Sequence, residues 1–237
     1  FIEITPQSTP AETVAQQVYH VPNFRAKIDL LQHLLGSTED FARVMVFVRT
    51  RQNANNIHKF LARKVEGEVR VLHANKDQNT RLNAINEFKQ GNIRVLVATD
   101  VLSRGIDVTM VSHVINFDVP LVYEDYVHRI GRTGRATHTG MAVTFCNPAE
   151  KYHLQKIEKL IKMKIEGRAL PAEVPVTETP FQERQEILRE IDQQRQKEDP
   201  AFKGAFHEKK KKKERGTGSR PSARKPARGK GRHHRKK

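Results

Sequence analysis

The sequence has few of the features that indicate secretion or a membrane location. Cysteine occurs once in 237 residues, at Cys146, so no internal disulfide can form and a reducing compartment suits the chain. No apolar run approaches the roughly 18 residues of a membrane span. The first residues lack the basic start and apolar stretch of a signal peptide, and without an initial Met they read as the middle of a longer protein. We therefore expect a cytoplasmic protein that does not associate with membranes.

Apolar residues are also scarce, and the charge is unevenly distributed. Hydrophobic residues make up 37% of the chain and the mean hydropathy is −0.68, which is low for a fully globular protein. From Lys203 onward sixteen Lys and Arg stand against two acids, so this segment carries +14 of the net charge of +16. We expect residues 200–237 to be a disordered Lys/Arg-rich tail. It could bind nucleic-acid phosphates by counterion release without reading sequence, or it could be a solubilising or localising segment.

The rest of the chain alternates short β-branched runs with amphipathic stretches. Strands alternating with helices, with strands that are apolar on both faces, predict an α/β fold: a mostly parallel sheet flanked by helices. In such sheets ligands bind outside the carboxyl ends of the strands. The predicted strands are 43–48, 69–73, 93–99, 111–117 and 140–146, and the predicted helices are 53–65, 77–91, 122–132 and about 149–162.

Beyond this region the composition changes. Residues 167–180 contain several prolines and are interpreted as a linker. Residues 181–199 are predicted to form a charged helix with a thin apolar stripe. This helix could pack on the domain or could be a solvated spacer, and the sequence does not distinguish the two.

The stretch "ATDVLSRGID", residues 98–107, has the residue types of a nucleotide or phosphate site. The Thr99 hydroxyl could hydrogen-bond a phosphate oxygen at the end of a strand. Gly105 lets the backbone approach a ligand closely, and Asp107 could accept a hydrogen bond from a ribose hydroxyl. In the alternative interpretation Asp100 caps a short helix and Arg104 makes a surface ion pair.

The stretch "YVHRIGRTGR", residues 126–135, spaces three arginines at intervals of three. Arg129, Arg132 and Arg135 could share one side of a helix end. Arginine suits phosphate because its planar guanidinium stays charged and bonds oxygens in pairs. Arginines in a last helical turn could instead complement the helix dipole. That alternative explains the charge but not Gly131 and Gly134.

Together these stretches resemble the DEAD-box RNA helicase family. Residues 98–107 resemble its motif V, 126–136 its motif VI, 44–51 its motif IV, and 72–81 its Gln-x-x-Arg segment, all in family order. The spelling "LSRG" and the basic tail resemble the RhlE-type branch. Ser103 and Thr137 depart from the commonest family spelling. The resemblance implies that residues 15–166 form the second RecA-like domain, the helicase C-terminal domain, after an interdomain connector at 1–14.

The resemblance also implies roles for individual residues. Two arginines would be fingers that reach the γ-phosphate of ATP, other residues would bind the nucleotide or lie along the RNA backbone, and a third group would couple the two through contacts with the first domain. The fingers are Arg132 and Arg135, which with Gly105 and Asp107 bind nucleotide; Thr50, Arg51, Gln78, Arg81 and Thr99 bind RNA; Arg104, His128 and Arg129 are the coupling residues.

The same resemblance defines what the chain needs from elsewhere. The sequence has neither a G-x-x-x-x-G-K-[ST] phosphate loop nor an Asp-Glu-Ala-Asp stretch. ATP is the expected nucleotide, and Mg²⁺ is expected to be held by the first RecA-like domain rather than by a metal site in this chain. The expected partners are RNA and that first domain, and the chain is not expected to hydrolyse ATP alone. The predicted function is the C-terminal motor domain of an ATP-dependent RNA helicase; the alternative is a non-enzymatic RNA-binding or annealing protein.

Overall fold

The computed structural model describes residues 14–37, 41–100, 108, 111–134 and 140–205. Four of the predicted site residues lie outside these ranges, and so do the connector before Val14 and the tail after Ala205. The four residues are Arg104, Gly105, Asp107 and Arg135.

Strands and helices alternate along the described chain. Its strands are β1 (Val14–His20), β2 (Val44–Phe47), β3 (Val69–Leu72), β4 (Val95–Ala98), β5 (His113–Asn116), β6 (Gly140–Cys146) and β7 (Glu166–Arg168). Its helices are α1 (Phe24–Ser37), α2 (Arg51–Leu61), α3 (Gln78–Gln90), α4 (Tyr123–Ile130), α5 (Lys151–Leu160) and α6 (Phe181–Glu198).

The seven strands form one sheet in the order β3-β4-β2-β5-β6-β1-β7. All six pairs of neighbouring strands are parallel. Because parallel strands need a crossover between them, the intervening helices cover the faces of the sheet. The predicted fold class, a RecA-like domain with a mostly parallel sheet flanked by helices, is confirmed.

Side chains of the central strand β2 alternate between two cores. Val44 and Val46 pack in the cluster that contains residues of α1 and α2. Met45 and Phe47 pack in the cluster that contains residues of α3. All four are buried, as expected for a strand covered on both faces, and each fully buried side chain of this size stabilises the fold by about 1.5–3 kcal/mol. The sheet is therefore a rigid platform for the loops at its carboxyl edge.

Three elements differ from the sequence-based expectation. No element was assigned to the span of α1, and β1 begins where the connector was expected to end. β1 carries polar Gln16 and Gln17 within a short run, which weakened its strand pattern, but Gln16 is buried and accepts a hydrogen bond from the Tyr126 hydroxyl at 2.8 Å. β7 falls at the start of the expected linker. Its three residues are exposed and belong to the sheet only through pairing with β1.

The helix α6 packs against the sheet domain. Near its start, the Glu183 carboxylate accepts a hydrogen bond from the backbone amide of Phe24, the first residue of α1, at 2.5 Å. Near its end, the buried Gln194 amide donates to the carbonyl of Ala149 at 2.9 Å. Of the two possibilities left open by the sequence, the structure therefore has the packed helix.

Candidate RNA and nucleotide site

Two helices begin side by side at the carboxyl edge of the sheet. α2 follows β2, and the hydroxyl of its N-cap Thr50 accepts a hydrogen bond from the Asn53 amide at 3.1 Å. α3 follows β3, and the carboxylate of its N-cap Asp77 accepts from the Thr80 amide at 2.8 Å. Helix N-termini present backbone N–H groups and the positive end of the helix dipole, which favour bound phosphate. The start of α2, whose cap is the neutral Thr50, is therefore suited to a phosphate backbone, whereas the Asp77 carboxylate already occupies an amide at the start of α3.

The five residues predicted to bind RNA all lie along this edge. Thr50 and Arg51 follow β2, Thr99 directly follows β4, and Gln78 and Arg81 lie in the first turn of α3 after β3. The strand order β3-β4-β2 makes these three strand ends neighbours. We call these five residues the RNA edge.

The loops of the RNA edge are tied to one another. The Arg51 guanidinium donates a hydrogen bond to the side-chain oxygen of Asn75, so the loops after β2 and β3 meet. The Nε2 atom of His73, the residue after β3, lies 3.2 Å from the side-chain oxygen of Asn55 on α2. Because that oxygen can only accept, this hydrogen bond requires the tautomer in which Nε2 carries the proton.

Several buried polar atoms at the RNA edge have no hydrogen-bond partner. They include the hydroxyl of Thr99, which is 3% exposed, the Nε of Arg81 and the Nδ1 of His73. A buried polar group left unpaired costs about 1–3 kcal/mol, so proteins rarely keep one without a reason. The concentration of these atoms at one edge supports a ligand site there.

His73 lies beside the RNA edge and is a residue that the sequence did not single out for binding. Its burial lowers the pKa of the imidazole, and the nearby positive charges of Lys76 and Arg51 lower it further. The side chain is therefore neutral at neutral pH and keeps its acceptor lone pair. Its place directly after a strand was the only sequence signal for it, and that signal is shared by many structural residues.

The predicted finger Arg132 lies elsewhere, just beyond the end of α4. Its backbone amide donates to the carbonyl of Arg129 at 3.1 Å, and its Nε donates to the carbonyl of His128 at 3.1 Å. The next residue, Thr133, is anchored by a hydrogen bond from its hydroxyl to the Val111 carbonyl at 2.6 Å. Arg132 is half-buried and His128 is exposed. The segment around Arg132 thus rests on the chain that leads into β5.

Only one of the two described glycines in this segment has a backbone that requires glycine. Gly134 has a φ of 72°, in the left-handed region that L side chains rarely adopt. Gly131, the C-cap of α4, has an ordinary φ of −64°. Gly140, at the start of β6, lies very close to Gly134, since a Cβ on Gly140 would be 2.2 Å from the backbone nitrogen of Gly134. The segment after Arg132 can therefore turn tightly against β6.

The predicted coupling residue Arg129 is inside the protein. Its Nε and Nη2 atoms donate to the two carboxylate oxygens of Asp100 at 2.6 and 2.7 Å. Its Nη1 donates to the side chain of Asn116 at 3.1 Å and to the carbonyl of Asp118 at 2.8 Å. The guanidinium also lies 5.1 Å from the centre of the Phe47 ring. Direct contact of this side chain with another domain does not fit its burial.

A second charged cluster lies between α6 and the carboxyl edge, around a cavity of about 380 Å³. The ammonium of buried Lys27 contacts the carboxylates of Asp118 at 3.1 Å and Glu150 at 2.7 Å. Arg49 contacts Glu150 at 3.2 Å, and its backbone amide donates to Asp118 at 2.8 Å. Because Arg49 precedes Thr50, this cluster holds the start of the RNA edge in place.

Two further properties concern the residues that the structure describes. Among them, no helix combines the length and the apolar character that crossing a bilayer would need. In the same ranges, no three His, Cys, Asp or Glu side chains are grouped so that they could hold a metal ion.

Comparisons with known proteins agree with this fold. The family model described as the helicase conserved C-terminal domain matches residues 26–137. The DEAD-box ATP-dependent RNA helicase RhpA of Helicobacter pylori is 41% identical over 170 residues, which cover 72% of this chain and 34% of that protein. The chain thus spans about a third of the length of this curated relative.

Two solved structures show the same fold. The E. coli DEAD-box protein SrmB, solved in complex with regulator of ribonuclease activity A, matches with a TM-score of 0.64 and 35% identity, covering 70% of this chain and 97% of that one. S. cerevisiae Dbp5 bound to RNA and ADP BeF3 matches with a TM-score of 0.60 and 26% identity, covering 78% of this chain and 48% of that one. The first likeness extends over nearly the whole of the SrmB chain.

Proposed function

The chain belongs to the DEAD-box RNA helicase family as a helicase C-terminal domain, and from that premise we propose that it supplies arginine fingers for ATP hydrolysis and an RNA-binding surface for local duplex unwinding. The observation that carries the proposal is the convergence of the RNA edge. Its five residues come from three separate stretches of the sequence, and these stretches follow three neighbouring strands, beside the N-termini of α2 and α3. Arg132 lies outside the RNA edge, so RNA binding at that edge does not require it. A role in ATP hydrolysis would explain this arginine, and a purely RNA-binding function would not.

The RNA edge would hold one strand by its backbone. Arg51 and Arg81 would pair with phosphates, and the first-turn amides of α2 would add neutral donors along the same path. Thr99 and Gln78 would hydrogen-bond the sugar-phosphate chain between them. Contacts of this kind fix the position of a strand without reading its sequence, so we propose a helicase without strong sequence preference at this surface.

The nucleotide side would be completed by a second domain. ATP supplies a phosphoryl group on which negative charge develops during transfer, and Arg132 is suited to stabilise that charge. Gly105, Asp107 and Arg135 are proposed to bind the same nucleotide, with Arg104 and His128 contacting the first domain. Mg²⁺ and the remaining phosphates are proposed to be held by that first RecA-like domain, because this sequence has no phosphate loop. The chain alone is therefore proposed to be inactive as an ATPase.

Two finer assignments belong to the same proposal. The "LSRG" spelling at residues 102–105 and the basic tail support the RhlE-type branch. A reducing compartment such as the cytoplasm suits a chain whose only cysteine, Cys146, is buried.

The test is RNA-stimulated ATP hydrolysis by this chain, measured alone and after covalent fusion to a first RecA-like domain of the same family. We expect no turnover from the chain alone and RNA-dependent turnover from the fusion. Turnover by the chain alone would mean that it holds a complete ATP site. No turnover in the fusion, when RNA binding by the chain persists, would contradict the motor function and favour an RNA-binding protein.

A further prediction concerns the tail. Removing residues 206–237 should flatten the salt dependence of single-stranded RNA binding, because each lost phosphate contact reduces the slope of log affinity against log salt by about 0.7. Affinity should be measured from low to high salt for the full chain, for the truncated chain, and for a chain with a Gly/Ser segment of equal length in place of the tail. An unchanged slope in both altered chains would show that the tail does not contact RNA.

A further inference from the structure

Asp100 and Arg129 form an ion pair in which almost the whole guanidinium is withdrawn from water. The Arg129 side chain is 1% exposed and that of Asp100 is 28% exposed. The two short bonds are parallel, from Nε and Nη2 to the two carboxylate oxygens, which is the strongest arrangement that arginine and a carboxylate form. The pair therefore fixes distance and orientation at the same time.

One end of this pair adjoins the RNA edge. Asp100 directly follows Thr99, whose backbone amide donates to the carbonyl of Leu72 in β3 at 3.2 Å. β4 itself lies between β3 and β2, with hydrogen-bonded neighbours on both sides. Asp100 is thus held at the carboxyl end of the strand whose next residue would contact RNA.

The other end belongs to the segment of the predicted finger. Arg129 lies in the last turn of α4, and its carbonyl accepts the hydrogen bond from the amide of Arg132. The remaining guanidinium bonds, to Asn116 and to the carbonyl of Asp118, hold Arg129 against the end of β5. A shift of Arg129 along the helix axis would therefore carry Arg132 with it.

We infer that Asp100 is a positioning residue, which fixes the finger Arg132 relative to the RNA edge by gripping the guanidinium of Arg129. The inference rests on the proposed function. Asp100 touches neither the reacting phosphate nor, in this assignment, the RNA. Its effect is transmitted through Arg129, so RNA bound at Thr99 and the finger near the nucleotide move as one unit.

The substitution Asp100→Asn tests the inference with little change in shape. The amide keeps one acceptor oxygen, but its NH₂ group would face an N–H of Arg129, so one of the two bonds is lost and the charge with it. In a fusion with a first RecA-like domain, we expect kcat for RNA-stimulated ATP hydrolysis to fall about 10- to 100-fold, since small misplacements of a reacting geometry have effects of that order. The Kd for RNA should stay within about threefold, because no side chain of the RNA edge is altered.

The matched control is Asp29→Asn, which removes a carboxylate from another ion pair, with Arg25 at 2.8 Å on α1, away from the RNA edge. It should leave kcat unchanged.

The double variant Asp100→Asn with Arg129→Gln removes the buried charge altogether and so keeps the fold testable if the single variant unfolds. Its kcat should fall at least as far below that of the unmodified fusion as the kcat of Asp100→Asn does, because Arg129→Gln also removes the guanidinium bonds to Asn116 and to the Asp118 carbonyl. Asp100→Glu, which restores the carboxylate, should recover part of kcat.

The outcomes separate the inference from the proposed function. A kcat for folded Asp100→Asn within twofold of the unmodified fusion would overturn the inference and leave the proposed function standing. A parallel loss of kcat, RNA affinity and Tm would also overturn it, because that pattern indicates a purely structural residue. No RNA-stimulated turnover in the unmodified fusion would overturn the proposed function and the inference together.

Discussion

Arg132→Ala is expected to lower RNA-stimulated ATP hydrolysis by about 10³- to 10⁵-fold in a fusion of this chain with a first RecA-like domain. An effect of this size corresponds to about 4–7 kcal/mol of activation free energy. It arises because an arginine finger stabilises negative charge that develops only as the phosphoryl group is transferred, so binding of substrate is hardly affected. The measurement is kcat at saturating RNA and ATP, together with the Kd for both.

We expect this variant to fold, because the backbone of the segment is held without the Arg132 side chain, by the Thr133 hydroxyl and by the carbonyl of Arg129. One contact of the Arg132 side chain is a hydrogen bond to the carbonyl of His128. Arg63→Ala is the matched control, because Arg63 is an exposed arginine in the turn after α2, on the approach to β3. It should leave kcat unchanged. A kcat for Arg132→Ala within tenfold of the unmodified fusion would exclude the finger role.

Much of the fold could be predicted because its signals are local. The predicted start of α3 at Asp77 and its stop at Gly91 are confirmed: Asp77 is the N-cap, and Gly91 is the C-cap in the left-handed conformation with φ 84°. A side-chain cap and a left-handed glycine act within a few residues, so their sequence pattern is sufficient. The helix predicted at 53–65 begins earlier, at Arg51, because the Thr50 hydroxyl caps it. That cap was present in the sequence but was interpreted only as an RNA contact.

The candidate site could be predicted only in part. Parallel strands end at the same edge of a sheet, and this rule predicts that the residues of the RNA edge lie on one side of the sheet. The rule does not predict the strand order, in which β4 lies between β3 and β2. The regular spacing of Arg129 and Arg132 did not show that the first is buried and the second is partly exposed. One signal did exist: Arg129 lies three residues after Tyr126 and one before Ile130, both fully buried, so it belongs to the inward face of α4. The identity of its partner Asp100 required the fold.

The same limit applies to the buried lysine of α1. Lys27 lies in a helix that the sequence analysis did not assign, among Ala26, Leu30 and Leu31, which are fully buried. Its partners Asp118 and Glu150 are 91 and 123 residues further along the chain. No local pattern pairs residues at such distances, because they meet only when β5 and β6 have been placed beside each other.

Lys27→Ala is therefore expected to destabilise the fold severely. The lysine ammonium donates to the Phe117 carbonyl at 2.7 Å besides its two carboxylate partners, and its side chain is only 2% exposed. Removing one partner of a buried charged cluster leaves the others uncompensated, at a cost of about 3–5 kcal/mol. For a domain of this size that corresponds to a decrease in Tm of about 6–20 °C. Thermal unfolding of the full chain at neutral pH is the measurement.

The loss should become smaller in acid, and this distinguishes a charge effect from a lost packing contact. Burial raises the pKa of Glu150 above its ordinary value, and the positive charge of Lys27 opposes that rise. Without Lys27 the folded-state pKa of Glu150 rises further above the unfolded value. The folded variant then binds a proton more readily than the unfolded chain, so its stability increases as the pH falls through that folded-state pKa. The difference in Tm from the unmodified chain should therefore shrink between pH 7 and pH 5.

Lys156→Ala is the matched control for this prediction. Lys156 also forms an ion pair, with Glu198 at 3.4 Å, but the pair is at the surface, where such pairs contribute little, so Tm should hardly change at either pH. A decrease for Lys27→Ala that is equal at pH 7 and pH 5 would mean that the lysine contributes by filling space. A decrease that shrinks in acid would show that its charge neutralises the carboxylates beneath α6. Since Asp118 also accepts the Arg49 amide, the same charge then holds the loop from which Thr50 and Arg51 reach the RNA edge.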